Sequence, residues 1–287
     1  MSQHQHYRHL ALIAAMALFM QSLDATILNT ALPAISASLN ESPLEMQMTI
    51  ISYSLTVALF IPLTGWMADK YGTLNVFRAA VGVFVLGSVA CAMANSLNAL
   101  IWSRILQGVG GALMMPVARL TIIRNVPKTQ LVAAWNAMAM AGLIGPVLGP
   151  IVGGWLVTYA TWHWIFLINI PIGVLGIVFA GRYIPNSTGK IKKLDWIGFI
   201  LFAGGLAGVT LGLDLLSEER ANSGLTAVML GAGFISFLLY YYYAKRAQNP
   251  LLPLNVFRVR TFRIGMIANI FIRLTASGIP FLMPLML

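Results

Sequence analysis

Leu10-Ala-Leu-Ile-Ala-Ala-Met-Ala-Leu-Phe-Met-Gln-Ser-Leu-Asp-Ala-Thr-Ile-Leu-Asn-Thr-Ala-Leu32 is an apolar run interrupted by a single charge, Asp24. About 20 such residues are what an α-helix needs to cross a hydrocarbon core roughly 30 Å thick. The run is continuously apolar and does not alternate, so it reads as a helix and not as a barrel strand. A cleavable signal sequence is the competing reading of a first apolar segment. This one is long and carries an aspartate, and its removal would invert the side of every later loop, so it is read as a retained span.

Comparable runs recur at about 48–68, 77–94, 100–123, 132–156, 164–181, 196–213 and 225–244, and a ninth begins near Phe262. The composition agrees: 59% of residues are hydrophobic and only 9% charged, with a mean hydropathy of +0.81. A soluble domain carries roughly 25% charged residues. The expected fold class is an all-α polytopic membrane protein.

A net charge of +10 would suggest nucleic acid if the chain were soluble. Here the basic residues lie between apolar runs and act as loop anchors, so no nucleic-acid partner is expected; membrane lipid is. With the N-terminus inside, the inner side collects Arg8, Lys70, Arg78, Arg119, Arg124, Lys128, Arg182, Lys190, Lys192, Lys193, Lys245, Arg246, Arg258, Arg260 and Arg263. The outer loops keep only Arg220, with Glu41, Glu45, Glu218 and Glu219. That asymmetry predicts a multi-pass protein of a bacterial inner membrane with a cytoplasmic N-terminus.

The lone Cys91 excludes an intrachain disulfide and a multi-cysteine metal site. His4, His6 and His9 sit in a polar tail, and His163 stands alone. Nucleotide-binding, metalloprotease and serine-nucleophile motifs are missing from the sequence. The chain is therefore read as a non-enzyme without metal or cofactor, in which any pumping draws on a gradient.

The expected organisation is a tail over 1–9, a six-helix bundle over 10–181 and a basic loop over 182–195. Two further spans follow over 196–245, then a loop over 246–261 and the start of a ninth span over 262–287. Ending at Phe281-Leu-Met-Pro-Leu-Met-Leu287, without a polar flank, reads as a truncated chain or a fragment.

Two ionisable residues lie well inside spans, Asp24 and Arg104. Each costs about 2.5–3.5 kcal/mol on insertion scales, and such residues mark function by default. At 1.5 Å per residue their depths differ by only several Å, within the reach of an arginine. A purely structural pair would make both charges tolerable. The functional reading is a proton site, in which burial and the arginine pull the carboxyl in opposite directions.

At 100° per residue, Arg104, Gln107, Gly108, Gly111 and Met115 share one side of the fourth span. In the first span Gln21 lies near Asp24, while Ser22, Thr26 and Asn29 cluster opposite. The Asp24 face is expected to line a cavity and the Ser22/Thr26/Asn29 face to pack on another helix.

The fifth span carries Gly142, Gly145, Pro146, Gly149, Pro150, Gly153 and Gly154. Gly145, Gly149 and Gly153 repeat every four residues and make one flat face for a close helix. The two prolines remove backbone donors and favour a bent, moving interface. Met114, Met115, Met138 and Met140 suit an adaptable pocket, or serve as apolar filler.

These stretches resemble the major facilitator superfamily, and within it the fourteen-helix drug:proton antiporters of the EmrB/QacA type, MdtD-like subgroup. Leu23-Asp-Ala-Thr-Ile-Leu-Asn-Thr-Ala-Leu-Pro33 looks like the helix 1 signature, including Thr26, Asn29 and Pro33. Gly65-Trp-Met-Ala-Asp-Lys-Tyr-Gly72, with Arg78 beyond it, looks like the loop 2–3 motif. Arg104-Ile-Leu-Gln-Gly-Val-Gly-Gly111 resembles the helix 4 motif, and the run from Gly142 to Gly154 the antiporter motif. Trp162-His-Trp-Ile-Phe-Leu-Ile-Asn-Ile-Pro171 fits the fourteen-helix branch. One departure stands out: Thr73, Leu74 and Asn75 occupy positions where the family usually places basic residues.

The resemblance implies that 196–245 are two linker helices inserted between two six-helix bundles and that 262–287 is the incomplete start of the C-terminal bundle. It also implies a proton-coupled exporter of small drugs or toxic compounds, working by antiport and alternating access. Asp24, Arg104, Gln107 and Gln21 would couple proton and substrate, and Gly65, Asp69, Lys70, Gly72 and Arg78 would form a cytoplasmic gate. The proton gradient is the energy source, a small molecule the substrate, antibiotic resistance the associated trait, and accessory efflux partners are left unassigned. Two other readings stay open: export of an anionic metabolite held by Arg104, and a non-transporting sensor or remnant if the chain ends at 287.

Overall fold

The structure, a computed structural model, describes residues 3–190, 193–217 and 223–286, with side chains over 7–190, 193–216 and 223–273. Lys192, Glu218, Glu219 and Arg220 lie outside them, as do the side chains of His4 and His6.

Long apolar runs give long helices, which continue through Pro33, Pro116, Pro146 and Pro150. They are α1 (Gln3–Leu39), α2 (Gln47–Phe60), α3 (Thr64–Tyr71), α4 (Thr73–Ala92), α5 (Leu97–Asn125), α6 (Leu131–Tyr159), α7 (Trp164–Leu167), α8 (Asn169–Tyr183), α9 (Trp196–Ser217), α10 (Ser223–Arg246) and α11 (Arg260–Met286). A 3₁₀ turn over Ile61–Leu63 joins α2 to α3 in one span. Eight helices of the described residues are long and apolar enough to cross a membrane, and each covers one of the expected runs.

Helix ends follow local chemistry. Asn40, at φ 56°, ends α1 in the left-handed conformation that asparagine tolerates. Ser96 caps α5 by accepting from the Ala99 amide at 3.2 Å. Gly72, at φ 88°, turns the chain from α3 into α4. The described part of the tail is helical: α1 already runs from Gln3, because no glycine or proline interrupts 3–10, and the His9 ring stacks on Tyr183 of α8 at 4.3 Å. In α6 the helix continues through Pro146 and Pro150.

α1 packs along α6 and also meets α5 and α8; α4 lies on α5 and α8, and α2 on α5. α9 and α10 form a hairpin that touches the bundle through α2. The side chains of α11 through Arg273 are exposed. Two apolar clusters fill the bundle. One holds Met20, Phe84, Leu113 and Ala180; the other holds Ile27, Cys91, Leu100 and Phe166. Each of α1, α4 and α5 passes from one cluster to the other, and so does the α7–α8 segment. At the crossing level each carries a polar side chain.

Candidate functional site

Those crossing-level residues are Asp24 in α1, Ser88 in α4, Arg104 and Gln107 in α5, and Asn169 at the start of α8, all buried. Arg104 donates from Nη1 to Asp24 Oδ2 at 2.7 Å and to Gln107 Oε1 at 2.5 Å. Its Nε donates to the Thr49 carbonyl of α2 at 3.3 Å. Gln107 donates from Nε2 to Asp24 Oδ1 and to Ser88 Oγ, both at 2.8 Å. Asn169 donates to Asp24 Oδ1 at 3.1 Å, and Ser88 in turn donates to the Phe84 carbonyl at 3.0 Å. The Tyr53 ring of α2 covers the guanidinium at 4.2 Å.

Every contact of the Asp24 carboxyl is a donor, the arrangement an ionised carboxylate needs inside an apolar bundle. Similar depth in the spans had suggested the pair, and the pair forms. Its surroundings differ from expectation. The Asp24 face does not line an open cavity, because Asp24 and Arg104 are each only 1% exposed, sealed between four neighbouring helices and the two apolar clusters. The open side of α1 carries Ala25 and Asn29. Asn29 had been assigned to the packing face and is exposed. Gln21 stays out of the network: its Oε1 is buried without a hydrogen-bond partner, as is the Tyr53 hydroxyl.

Sequence reading missed Ser88, Asn169 and Tyr53. Ser88 and Asn169 were legible in part, as lone polar residues within apolar runs. The contribution of Thr49 was not legible, since it is a backbone carbonyl.

Ser22 and Thr26 do face α6. A Cβ at Gly145 would fall on the Ser22 hydroxyl, and one at Gly149 on Thr26 Oγ1. At Gly153 it would meet Ile27 Cγ1 at 2.9 Å, and at Gly142 Leu18 Cδ2 at 3.1 Å. Gly154 has room, its nearest neighbour being Thr30 Cγ2 at 4.0 Å. The stripe is thus a seam that brings two backbones together, as small residues do in membranes.

At the basic end of the bundle, Asp69 of α3 accepts from Arg124 Nη2 of α5 at 2.5 Å. Neither Lys70 nor Arg78 is its partner: Lys70 lies over the Trp66 and Tyr71 rings, and Arg78 is exposed. The segment after α8 straps this region. The Gly189 amide donates to the Asp69 carbonyl at 3.1 Å and the Thr73 amide to the Ser187 carbonyl at 3.1 Å. Asn186 accepts from the Leu74 amide at 3.1 Å. A Cβ on Gly72 would collide with Asn186, so glycine is required there by both its φ and its neighbour. Gly65 has open space around it.

Apolar helices that seal an ion pair between two hydrophobic layers define a polytopic membrane protein. The profile of the Major Facilitator Superfamily matches residues 14–286, and the chain belongs to that family, one of transporters and not of enzymes.

Among curated relatives, it is 66% identical over 280 residues to a Haemophilus influenzae protein carried under the name "Probable transport protein HsrA", covering 98% of this chain and 60% of that one. It is 46% identical over 275 residues to MdtD of Salmonella typhi, a protein named for multidrug resistance, covering 96% of this chain and 58% of that one. The chain therefore spans about 60% of the length of these relatives. Among solved structures, the POT family transporter PepTSo matches at a TM-score of 0.56 with 15% identity, over 85% of this chain and 55% of that one. An autoinhibited POT family peptide transporter matches at 0.57 with 14% identity, over 85% and 54%. At such identities the likeness is one of fold.

Proposed function

We propose that this chain forms the N-terminal part of a proton-coupled exporter of small drugs or toxic compounds, working by antiport and alternating access in a bacterial inner membrane, with its N-terminus cytoplasmic. The observation that carries the reading is the Asp24 carboxylate, buried at membrane depth with three side-chain donors and no acceptor. A proton on that carboxyl would create an O–H among partners that are all donors, with no acceptor to receive it, so protonation favours a rearrangement of α1 against α5 and α8. Linkage then lets a rearrangement driven by substrate release or take up the proton.

The α1–α6 seam supports movement, since its glycines bring two backbones close with only small side chains, Ser22 and Thr26, seated at Gly145 and Gly149. The names of the HsrA and MdtD relatives favour transport and drug export. Export of an anionic metabolite through Arg104 is disfavoured, because its Nε and Nη1 are already engaged within the bundle. The test is transport by the full-length protein in proteoliposomes under an imposed pH gradient. Uphill movement of a drug substrate that collapses with the gradient supports the proposal; transport indifferent to the gradient overturns it.

A further inference from the structure

At the basic end of the helices a cavity of about 810 Å³ opens between α3, the residues just before α9, the last turn of α10 and the segment leading to α11. Five charged residues line it: Asp69, Lys193, Asp195, Lys245 and Arg258. Both acids are already engaged. Asp69 holds Arg124. Asp195 accepts from the Gly198 amide at 2.9 Å, the Tyr243 hydroxyl at 2.6 Å and the Leu251 amide at 3.0 Å. None of the three cations has an ion-pair partner among the described residues. Lys245 lies 4.1 Å from the Tyr241 ring, a contact that leaves its charge unneutralised.

Basic loops at this end follow from membrane topology alone. Topology does not require cations from three separate segments to converge on one concavity whose acids are already taken. Such a site attracts an anion. Aromatic rings indicate its depth. Trp66 and Tyr241 line the cavity, while Trp196 and Tyr242 beside it are 60% and 58% exposed. Rings of this kind settle at the headgroup level of a bilayer.

We propose that this cavity binds the phosphate of an anionic phospholipid headgroup, with Lys193, Lys245 and Arg258 as its cationic ligands. A headgroup there touches α3 and the α9–α10 hairpin together and ties the hairpin to the bundle beside Asp69. Soluble phosphate shares the chemistry, and the position among exposed aromatic rings favours the lipid.

The test uses the full-length protein, delipidated in neutral detergent and titrated with phosphatidylglycerol, with bound lipid read by native mass spectrometry. We expect one tight site, weakened about tenfold or more in Lys193→Gln/Lys245→Gln/Arg258→Gln, since these three cations converge on the cavity. The charge-matched control Lys128→Gln/Arg182→Gln/Lys190→Gln should bind within about twofold of the parent. The variant Lys193→Arg/Lys245→Arg/Arg258→Lys should retain binding. Phosphatidylcholine should not displace the bound lipid. Failure of glycerol phosphate and inorganic phosphate to compete supports the lipid; competition by them at similar concentration would make soluble phosphate the occupant and overturn the lipid assignment. Equal losses in the two glutamine variants, or no preference for phosphatidylglycerol over phosphatidylcholine, would overturn the proposal.

Discussion

Arg104 Nη1 and Asp24 Oδ2 lie 2.7 Å apart with both side chains 1% exposed, although the residues are 80 positions apart in the sequence. Removing one partner of such a pair leaves an uncompensated buried charge and costs about 3–5 kcal/mol, whereas replacing both is far milder. Arg104→Ala should therefore unfold at markedly lower temperature than the parent, and Asp24→Asn/Arg104→Gln should recover most of the loss. Thermal unfolding in detergent measures both. A double variant as unstable as Arg104→Ala would show that the pair is not the origin of the cost.

Coupling separates from stability in the same variants. Asp24→Asn and the double variant should both lose gradient-driven accumulation, because neither can bind a proton at that position. Downhill exchange by Asp24→Asn should persist. Uphill transport at the parent rate by Asp24→Asn would rule out Asp24 as the proton carrier.

The α1–α6 seam makes a positional claim. Gly149→Leu should abolish transport while leaving membrane insertion intact, because overpacking a tight contact costs typically about 1–3 kcal/mol and separates the backbones. Gly149→Ala should be partly rescued by Thr26→Ala, which removes the hydroxyl it meets, and the coupling is read from a double-mutant cycle. Gly154→Ala, where there is room, should transport normally. Equal defects at Gly149 and Gly154 would show that the helix tolerates no change at all, and so would not support a specific seam.

The Asp69–Arg124 pair is partly exposed, at 32% and 26%, and should contribute only about 0–1 kcal/mol to stability. Asp69→Asn should leave the unfolding temperature nearly unchanged and reduce transport. The swap Asp69→Arg/Arg124→Asp should restore a part of it. A large fall in stability from Asp69→Asn would mean that the contact holds the fold together and does not act as a gate.

Orientation is tested by labelling single cysteines in whole cells after replacement of Cys91. A cysteine at Glu45 should react with a membrane-impermeant maleimide, and one at Lys190 should not. The reverse pattern would invert the topology.

Much of this protein was legible in one dimension because the bilayer imposes a one-dimensional rule. A helix must stay apolar for about 20 residues and satisfy its own backbone, so the eight spans could be read from hydropathy, and the depth of Asp24 and Arg104 from counting along each span. The glycine stripe was legible too, since a period of four defines one face without reference to the partner. What lies opposite a face is decided elsewhere. Helical periodicity placed Asp24 and Gln21 on one side of α1, but only the packing of α4, α5 and α8 closed that side into the bundle and left Ala25 and Asn29 open. Asn169, Ser88 and the Thr49 carbonyl joined the ion pair for the same reason: polar residues on separate helices meet only when two apolar clusters bring their boundaries to one level. Arg124 was one basic residue among many until tertiary contact brought it 2.5 Å from Asp69. Hydropathy sets how deep a residue lies; which neighbour it meets there is set by helix-to-helix packing, an interaction between distant segments that no local pattern encodes.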